Sequence, residues 1–261
     1  MFGTRARLGL IVPSNNTTVE PEFVRMSPEG VDCFATRTMI VETDDPAEKA
    51  RTILDMHARI DDAAREVASL QADAIGYVCT SGSFLDGDDS DRAVCERLTT
   101  ATGVPTITTS TAMVVALRTL GISRVALATP YISQVSSGLR SFLEDAGFTV
   151  AAHRDLDLLS NLEKGRLGPA ASEELVRSMD LGDADGVFIS CTNWRTIESV
   201  DALETDLGLP VVSSNLATFW LMLAISGVLP EKDAAKPSRA RLWDRAPAEI
   251  PSFVLPSASG R

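Results

Sequence analysis

Short apolar runs alternate along the chain with longer segments in which apolar residues recur every three or four positions. The segment at 46–70 shows the second pattern, and it begins with a proline suited to a first helical turn. It then places these apolar residues at helical spacing: Ile53, Met56, Ile60, Ala64 and Val67. Similar patterns predict helices at 134–147 and 169–181. Short strands that alternate with helices indicate parallel βαβ units, so the sequence predicts an α/β fold.

The chain carries an internal repeat, because three segments of its first half recur in the same order in its second half. The matched pairs are 5–16 with 123–133, 72–82 with 184–194, and 103–121 with 208–227. The second pair places Cys79 and Cys191 at the same point of the two copies. The repeat therefore predicts two pseudo-symmetric lobes, each a parallel sheet flanked by helices.

The repeat also indicates how the chain divides into lobes. We assign residues 1–116 and 216–230 to the first α/β lobe and residues 117–215 to the second. The segment at 229–261 has no long helical or strand period and is rich in proline, with prolines at 230, 237, 247, 251 and 256. We therefore expect residues 231–261 to form a tail that is either disordered or wrapped around a neighbouring molecule.

Charge and composition narrow the function classes. Twenty-four basic residues against thirty-six acidic ones leave a net charge of −12, and no Lys/Arg cluster is present to release counterions from phosphates. We therefore expect no nucleic-acid partner. No apolar run approaches the roughly 18 residues of a membrane helix, and the first residues lack a secretory cleavage pattern. These features favour a cytoplasmic protein without a membrane partner.

The cysteines and histidines do not form a metal-binding pattern. The four cysteines, at 33, 79, 95 and 191, include no C-x-x-C pair and are distant in sequence from His57 and His153. This spacing argues against a zinc site. In a cytoplasmic chain each cysteine is a reduced thiol, either a small buried hydrophobe or a reactive group. We expect Cys33 and Cys95 to be structural, both histidines to be exposed, and Phe219 and Trp220 to lie in the core or in a subunit contact.

Cys79 and Cys191 each follow a strand-like run and precede residues that favour helix starts. Ligands of open parallel sheets bind at this edge, outside the carboxyl ends of the strands. The residues at 80–83 and 192–193 are N-cap types whose free N–H groups can form an anion nest. The positive electrostatic field at a helix N-terminus also lowers the pKa of a nearby thiol. Taken alone, one such motif also fits a tight turn around a buried thiol or the phosphate loop of a flavodoxin-like protein.

The repeat favours a catalytic role, because thiols at equivalent positions face each other if a pseudo-twofold axis relates the lobes. Two acid/base groups on opposite sides of one carbon can move a proton from one face to the other, or add to a double bond and manage its proton. Helix N-termini and the polar run at 15–18 supply neutral donors, whereas formal positive charge is scarce. We therefore expect a small carboxylate substrate that is held by neutral donors.

Six motifs occur in the order of one known family: "GLIVPSNNTTVEPEF", "CTSGSF", "TPY", "SNLEKGRL", "SCTNWRT" and "PVVSSNLATFW". Over residues 7–228 the chain resembles maleate cis-trans isomerase and its relatives in the Asp/Glu racemase superfamily, which include arylmalonate decarboxylase and a protein of ectoine utilisation. The resemblance implies two flavodoxin-like lobes with the active site between them, no cofactor and no metal. It also implies a homo-oligomer, which is common in such enzymes.

The resemblance assigns roles to individual positions. It implies that Cys79 adds to the alkene of maleate and that Cys191 handles a proton, after which the adduct rotates and eliminates. The family's substrate-binding positions fall on Asn15, Tyr131 and Asn161. The carboxylate cradles are completed by the backbone and side chains of Thr80, Ser81, Thr192 and Asn193.

Other functions stay open at this point. Two cysteines also suit a racemase of an Asp/Glu-type amino acid, and the superfamily includes a decarboxylase. The decarboxylase relatives work with one cysteine in the second lobe, so the presence of Cys79 argues against that chemistry. A flavodoxin-like binding protein without turnover is a further alternative, although the chain lacks an obvious pair of stacking aromatics near the loop.

Two motifs contain residues that a site for a small dianion would not be expected to have. The stretch "FLDGDDSD" carries Asp86, Asp88, Asp89 and Asp91, which would repel a dianion if they faced it. We expect this stretch to be a solvated surface loop. The motif "CTNWRT" brings a bulky Trp194 near the pocket, and Arg195 either binds a carboxylate or pairs with Glu198 at i+3.

Overall fold

Two four-stranded sheets form the centres of the two lobes in a computed structural model of the chain. The strands of the first sheet are β1 (Ala6–Pro13), β2 (Val31–Thr38), β3 (Ala74–Tyr77) and β4 (Thr106–Thr108). Those of the second sheet are β5 (Arg124–Tyr131), β6 (Thr149–Leu158), β7 (Gly186–Ile189) and β8 (Val211–Ser213). The structure describes residues 1–85, 88–230, 238 and 240–256, with 88–90 described by their backbone alone.

The strands follow the same order in both sheets, which confirms the predicted α/β fold with two similar lobes. The order is β2-β1-β3-β4 in the first sheet and β6-β5-β7-β8 in the second, and all neighbouring strands are parallel. At the centre, Leu8 of β1 pairs with Ala74 of β3, and Val125 of β5 pairs with Gly186 of β7. The strands that lead to the two repeat cysteines therefore hold equivalent positions.

Helices connect the strands and cover the sheets. In the described part of the chain they are α1 (Val19–Met26), α2 (Pro46–His57), α3 (Ile60–Ala68), α4 (Thr80–Phe84), α5 (Asp88–Thr102), α6 (Thr109–Thr119), α7 (Ser133–Asp145), α8 (Asn161–Arg166), α9 (Pro169–Arg177), α10 (Ile197–Leu207) and α11 (Ser214–Ile225). The predicted helices at 134–147 and 169–181 correspond to α7 and α9. No helix in the described residues is long and apolar enough to cross a membrane.

The helical pattern over 46–70 is confirmed, and the segment forms two helices, α2 and α3, with a break at residues 58–59. α2 packs against α4 beside the first cysteine loop, whereas α3 packs on β1 and β2. The break lets one stretch of chain make both contacts. Gly9 of β1 allows the close approach of α3, since a Cβ at this position would lie 2.9 Å from the Cβ of Val67.

Helix α11 is apolar on all sides and lies between the lobes. Its residues 214–223 are all buried, which confirms that Phe219 and Trp220 belong to the core. The helix packs on α6 and on β3, where a Cβ at Gly76 would lie 2.7 Å from the sulfur of Met222. Because α11 contacts both sheets, the exact lobe boundaries stay a prediction.

The described part of the C-terminal segment packs on its own chain, so the expectation of a disordered tail, or one wrapped around a neighbour, is wrong for residues 240–256. Its buried side chains are Leu242, Trp243 and Val254. The indole N–H of Trp220 donates to the carbonyl oxygen of Arg245 at 3.0 Å. Isolated apolar residues between the prolines supply this burial without any helical or strand period. Residues 231–237, 239 and 257–261 lie outside the described residues.

Glu22 of α1 joins the lobes through a buried carboxylate that is 1% exposed. Its Oε1 accepts from the backbone N–H groups of Thr196 at 2.7 Å and Ile197 at 3.2 Å, at the start of α10. Its Oε2 accepts from Asn215 Nδ2 at 2.7 Å. Burial raises the pKa of Glu22 to about 7, although these hydrogen bonds act in the opposite direction. A first-lobe side chain thus holds the N-terminus of a second-lobe helix.

The raised pKa of Glu22 predicts a specific loss of stability between pH 4.5 and 7. Folding takes up a proton in this range, because the pKa is about 7 in the folded chain against an ordinary value of 4.5. As the pH rises from 4.5 to 7, the contribution of Glu22 to the free energy of unfolding should therefore fall by about 3 kcal/mol. Above pH 7 this contribution should stay constant. Glu22→Gln, measured by denaturant unfolding at several pH values, should lack this component.

The control for this experiment is Glu20→Gln, on the same helix and half-buried rather than buried. This variant should keep the pH dependence of the unmodified chain. Parallel stability curves for the unmodified chain and Glu22→Gln would contradict the assignment.

Candidate active site

The two repeat cysteines lie at the carboxyl ends of equivalent strands, where the two lobes meet. Cys79 follows β3 and is the N-cap residue of α4, and Cys191 follows β7. Each is 6% exposed. The two thiols are near enough to interact electrostatically, because a charge on Cys191 adds to burial in raising the pKa of Cys79. The structure therefore brings the two predicted cysteines into one site.

One buried hydroxyl fixes the two cysteine loops relative to each other. Cys191 has a φ of 128°, a conformation that is rare and strained for a residue with a side chain. Its backbone N–H donates to Ser214 Oγ at 3.0 Å. The same Oγ accepts from the hydroxyl of Thr80 at 3.1 Å. Ser214, at the start of α11, thus maintains the unusual backbone of Cys191 and connects it to the Cys79 loop.

Further hydrogen bonds cross between the lobes around the thiols. Thr192 Oγ1 donates to the carbonyl oxygen of Val78 at 3.3 Å and accepts from Asn16 Nδ2 at 3.2 Å. Asn193 Oδ1 accepts from the backbone N–H of Thr17 at 2.9 Å. The side chains of Thr192 and Asn193 are therefore used to join the lobes.

Burial raises the pKa of both thiols, so the expectation of lowered values is wrong. At Cys79 the backbone of Gly82 and the hydroxyl of Ser81, 3.9 Å from Sγ, lower the pKa in part. At Cys191 the positive charge of Lys164 and the backbone of Asn193 do the same. Desolvation exceeds these contributions at both positions. Each cysteine is therefore a protonated thiol in the resting site at neutral pH.

Tyr131 lies beside the second thiol, at the end of β5, as the resemblance implied. Its side chain is 4% exposed, and its hydroxyl accepts from Ser190 Oγ at 3.4 Å. It also interacts with the side chains of Thr80 and Cys191. Tyr131 thus touches the loops that carry both cysteines.

Tyr77 and His57 form a wall of the site that the sequence did not indicate. A Cβ on Gly82 would collide with the hydroxyl of Tyr77 and lie 3.1 Å from the sulfur of Cys79, so all three groups meet at this glycine. The ring of His57 stands edge-on to Tyr77, with centroids 5.7 Å apart, and its Nδ1 lies 3.1 Å from the carbonyl oxygen of Gly82. The prediction of an exposed His57 is wrong because α2 ends against α4.

Glu42 connects the two asparagines that the resemblance assigned to substrate binding. Asn15 Nδ2 donates to Glu42 Oε1 at 2.6 Å. The backbone N–H of Asn161 donates to both carboxylate oxygens of Glu42, at 3.1 and 3.3 Å. Asn15 and Asn161 therefore already bind a carboxylate in this structure, which belongs to the loop between β2 and α2. No motif in the sequence singled out Glu42.

Two buried lysines correct the expectation that only neutral donors surround the substrate. Lys49 is 2% exposed and Lys164 is 4% exposed. Lys49 Nζ lies 3.7 Å from Glu42 Oε2, and Lys164 Nζ lies 5.3 Å from the ring centroid of Tyr131. Two sequence signals could have revealed them. Lys49 precedes Ile53 by four residues on the apolar face of α2, and Lys164 lies within the motif "SNLEKGRL".

The acidic stretch after the first cysteine loop is only partly described. Asp91 is buried, so the prediction of a solvated loop is wrong at this position. Its carboxylate accepts from the hydroxyls of Thr108 and Thr111, the latter at 2.5 Å, at the N-terminus of α6. Burial raises its pKa to about 6 despite these bonds. Asp86 and the side chains of Asp88 and Asp89 lie outside the described residues.

Several remaining positions have structural contacts. Arg195 pairs with Glu198 at 2.5 Å on the surface, the second of its two predicted alternatives. Trp194 is completely buried in the core. His153 was predicted to be exposed but is half-buried and pairs with Asp155 at 2.8 Å.

The other two cysteines are structural. Cys95 is buried in α5, where its sulfur lies 3.6 Å from Thr111 Oγ1. Cys33 is half-buried in β2, and burial raises its pKa to about 12. Within the described residues, no group of three His, Cys, Asp or Glu side chains could hold a metal ion.

Two similar α/β lobes that meet with one buried thiol from each form a site of the kind in which a pair of cysteines can serve as nucleophile and proton donor. A family profile described as arylmalonate decarboxylase matches residues 8–242. The chain therefore belongs to the arylmalonate decarboxylase family, in agreement with the superfamily indicated by its motifs.

Comparisons with individual proteins identify two kinds of relative. The chain is 30% identical to a maleate isomerase of Pseudomonas putida over 230 residues, which cover 83% of this chain and 90% of that protein. It is 34% identical to the arylmalonate decarboxylase of Bordetella bronchiseptica over 187 residues, which cover 71% and 77% of the two chains.

The structure of a cysteine-to-serine variant of Nocardia farcinica maleate cis-trans isomerase, with a covalently bound succinylcysteine intermediate, is also similar to this chain. The TM-score is 0.82 at 27% identity, and the match covers 92% of this chain and 98% of that one.

Ser214→Ala should loosen the Cys191 loop, because it removes the acceptor of the Cys191 N–H and leaves that group unpaired in the core. We expect the free energy of unfolding to fall by about 1–3 kcal/mol, measured by denaturant unfolding. We also expect iodoacetamide to alkylate Cys191 faster, measured by peptide mass spectrometry.

Ser226→Ala is the matched control, because this serine follows the same helix and its hydroxyl has no hydrogen-bond partner in the described residues. It should change neither quantity. Equal effects of the two substitutions would show that Ser214 does not hold the loop.

Proposed function

We propose that the chain is a cofactor-independent isomerase that converts maleate to fumarate. The main observation that supports this proposal is the pair of buried thiols, one from each lobe, whose loops are joined through Ser214. Such a pair can attack one carbon of an alkene and protonate the other. The maleate isomerase relatives and the succinylcysteine intermediate of the similar structure support this activity.

The reaction begins when the Cys79 thiol loses its proton to solvent and the resulting thiolate attacks C2 of maleate. The sulfur–carbon bond forms while the electron pair of the double bond moves to C3 and into its carboxylate. Cys191 then gives its proton to C3, which leaves Cys191 as the thiolate and C2–C3 as a single bond. After rotation about this bond, Cys191 takes the proton back and Cys79 leaves, which regenerates the alkene as fumarate. Cys79 takes a proton from solvent again after it leaves the product.

Neighbouring groups favour these charges at each stage. The backbone of Gly82 and the hydroxyls of Ser81 and Tyr77 stabilise the Cys79 thiolate. Lys164 stabilises the thiolate that Cys191 becomes. Asn15, Tyr131 and Asn161, with the loops at Thr80, Ser81, Thr192 and Asn193, surround the cleft where the carboxylates would bind. Because Glu42 occupies Asn15 and Asn161, it has to share or release them when substrate enters.

A decarboxylase is the second candidate, because the matched family profile and one relative carry that name. The presence of a thiol at position 79 favours the isomerase, since the resemblance implies a single second-lobe cysteine for decarboxylation. Release of CO2 from an arylmalonate that persists after Cys79→Ala would favour the decarboxylase. Deuterium exchange at Cα of aspartate without alkene turnover would favour a two-cysteine racemase. The cytoplasmic location and the homo-oligomeric state stay predictions.

Replacement of either site cysteine should abolish most of the turnover. We expect Cys79→Ser and Cys191→Ser each to lower kcat by about 100- to 10,000-fold, because a nucleophile or a proton donor is lost. Formation of fumarate from maleate is followed by NMR. Cys191→Ser should also accumulate a covalent adduct of maleate on Cys79, detected by mass spectrometry of the intact protein.

Cys33→Ser is the control, since this thiol lies on β2 away from the cleft, and it should leave the rate unchanged. Full activity of Cys79→Ser, or a covalent adduct on Cys191 in the Cys79→Ser variant, would contradict the assigned roles. Absence of fumarate with the unmodified protein would overturn the proposed function itself.

A further inference from the structure

The two buried lysines carry more positive charge than the described residues around them neutralise. Lysine is almost never completely buried without a partner, because removing an ammonium group from water is costly. Lys49 Nζ has no hydrogen-bond partner in the described structure and is 3.7 Å from the carboxylate of Glu42. Lys164 Nζ has only neutral acceptors, the carbonyl oxygen of Leu159 at 3.3 Å and Asn161 Oδ1 at 3.5 Å.

Lys164 lies among the residues that the resemblance assigned to substrate binding. Its Nζ faces the ring of Tyr131, and Asn161, its hydrogen-bond acceptor, lies against Glu42. Burial, together with the positive charge of Lys49, lowers the pKa of Lys164 to about 8, while the carboxylate of Glu42 and, when they are ionised, the thiols of Cys191 and Cys79 act to raise it. The ammonium group is therefore within electrostatic reach of both thiols and still mainly protonated at neutral pH.

Among the described residues, the charges of this cluster do not balance without a ligand. Lys49 and Lys164 contribute two positive charges, and Glu42 contributes one negative charge that Asn15 and Asn161 also bind. The neighbouring groups Cys79, Cys191 and Tyr131 are neutral when protonated. One positive charge is left, inside a cleft from which most water is excluded. An anionic group of a ligand would complete the cluster.

We propose that Lys164, with Lys49 behind it, binds the substrate carboxylate on the carbon that Cys79 does not attack, and that it makes the site selective for dianions. This inference rests on the proposed function and names the group that distinguishes a dicarboxylate from its half-amide. During addition the electron pair of the alkene moves toward this carboxylate. Lys164 stabilises that charge until the proton of Cys191 arrives at C3.

The test measures binding and needs no turnover. Calorimetry compares succinate with its monoamide, succinamate, which lack the double bond and differ by one charge. We expect the unmodified protein to bind succinate about 10- to 100-fold more tightly than succinamate. Lys164→Met, which keeps the unbranched apolar stem, should lose this preference while its affinity for succinamate changes less than about threefold.

Arg166→Met is the matched control, because it removes the same charge from an exposed position of the same short helix. It should keep the full preference for succinate. If Lys164→Met does not fold, Lys164→Gln replaces it, since its amide can still donate to the carbonyl oxygen of Leu159.

Three results would overturn the inference: equal binding of the two ligands by the unmodified protein, failure to bind either, or a preference that survives in the Lys164 variant. Equal loss of affinity for both ligands in that variant would also overturn it, because it would place the effect on the thiols or the fold. Conversion of maleate to fumarate is measured separately on the unmodified protein. Selective binding of succinate without fumarate formation would leave the inference intact and reject the proposed isomerase.

Discussion

Everything at this site depends on the distance between two loops that belong to different lobes. A pair of thiols can serve one substrate only if that distance is fixed, and the chain fixes it with hydrogen bonds from one loop to the other. Ser214 accepts from both loops, and Thr192 reaches the backbone before Cys79. Glu22 adds a buried link from α1 to the start of α10. The lobes therefore act as one framework, which keeps the unusual backbone of Cys191 in place.

The same burial that orders the site also works against its chemistry. Desolvation raises the pKa of both thiols and lowers that of Lys164, so each charged form is disfavoured. The attraction between opposite charges in the site offsets part of the cost of burying each one. A thiolate at Cys191 favours the ammonium form of Lys164, and the ammonium form favours the thiolate. Proton transfer within such a coupled group requires little rearrangement, which suits a reaction that forms and removes charge twice.

The sequence predicted the framework better than the charges. Apolar runs and their repetition were sufficient for two parallel lobes, and the rule that ligands bind at strand ends located Cys79 and Cys191. The positions of Glu42, Lys49 and His57 depend on how α2 and its preceding loop lie across the cleft, which no local pattern encodes. Lys49 occupies a core-facing position of α2, where the helical pattern of apolar residues predicts an apolar side chain. The thiol pKa was predicted with the wrong sign because helix N-termini are visible in a sequence, whereas the depth of burial is not.

The lobes share a topology but surround their cysteines with different chemistry, and this difference supports the two roles proposed for them. Around Cys79 the stabilising groups are a backbone N–H and neutral hydroxyls, whereas Cys191 has the ammonium group of Lys164. A thiolate becomes a weaker nucleophile as its pKa falls. The surroundings of Cys79, which lack such a cationic partner, are therefore consistent with its proposed role as nucleophile. The thiol beside Lys164 is the better proton donor, because the anion it leaves behind is stabilised where it forms.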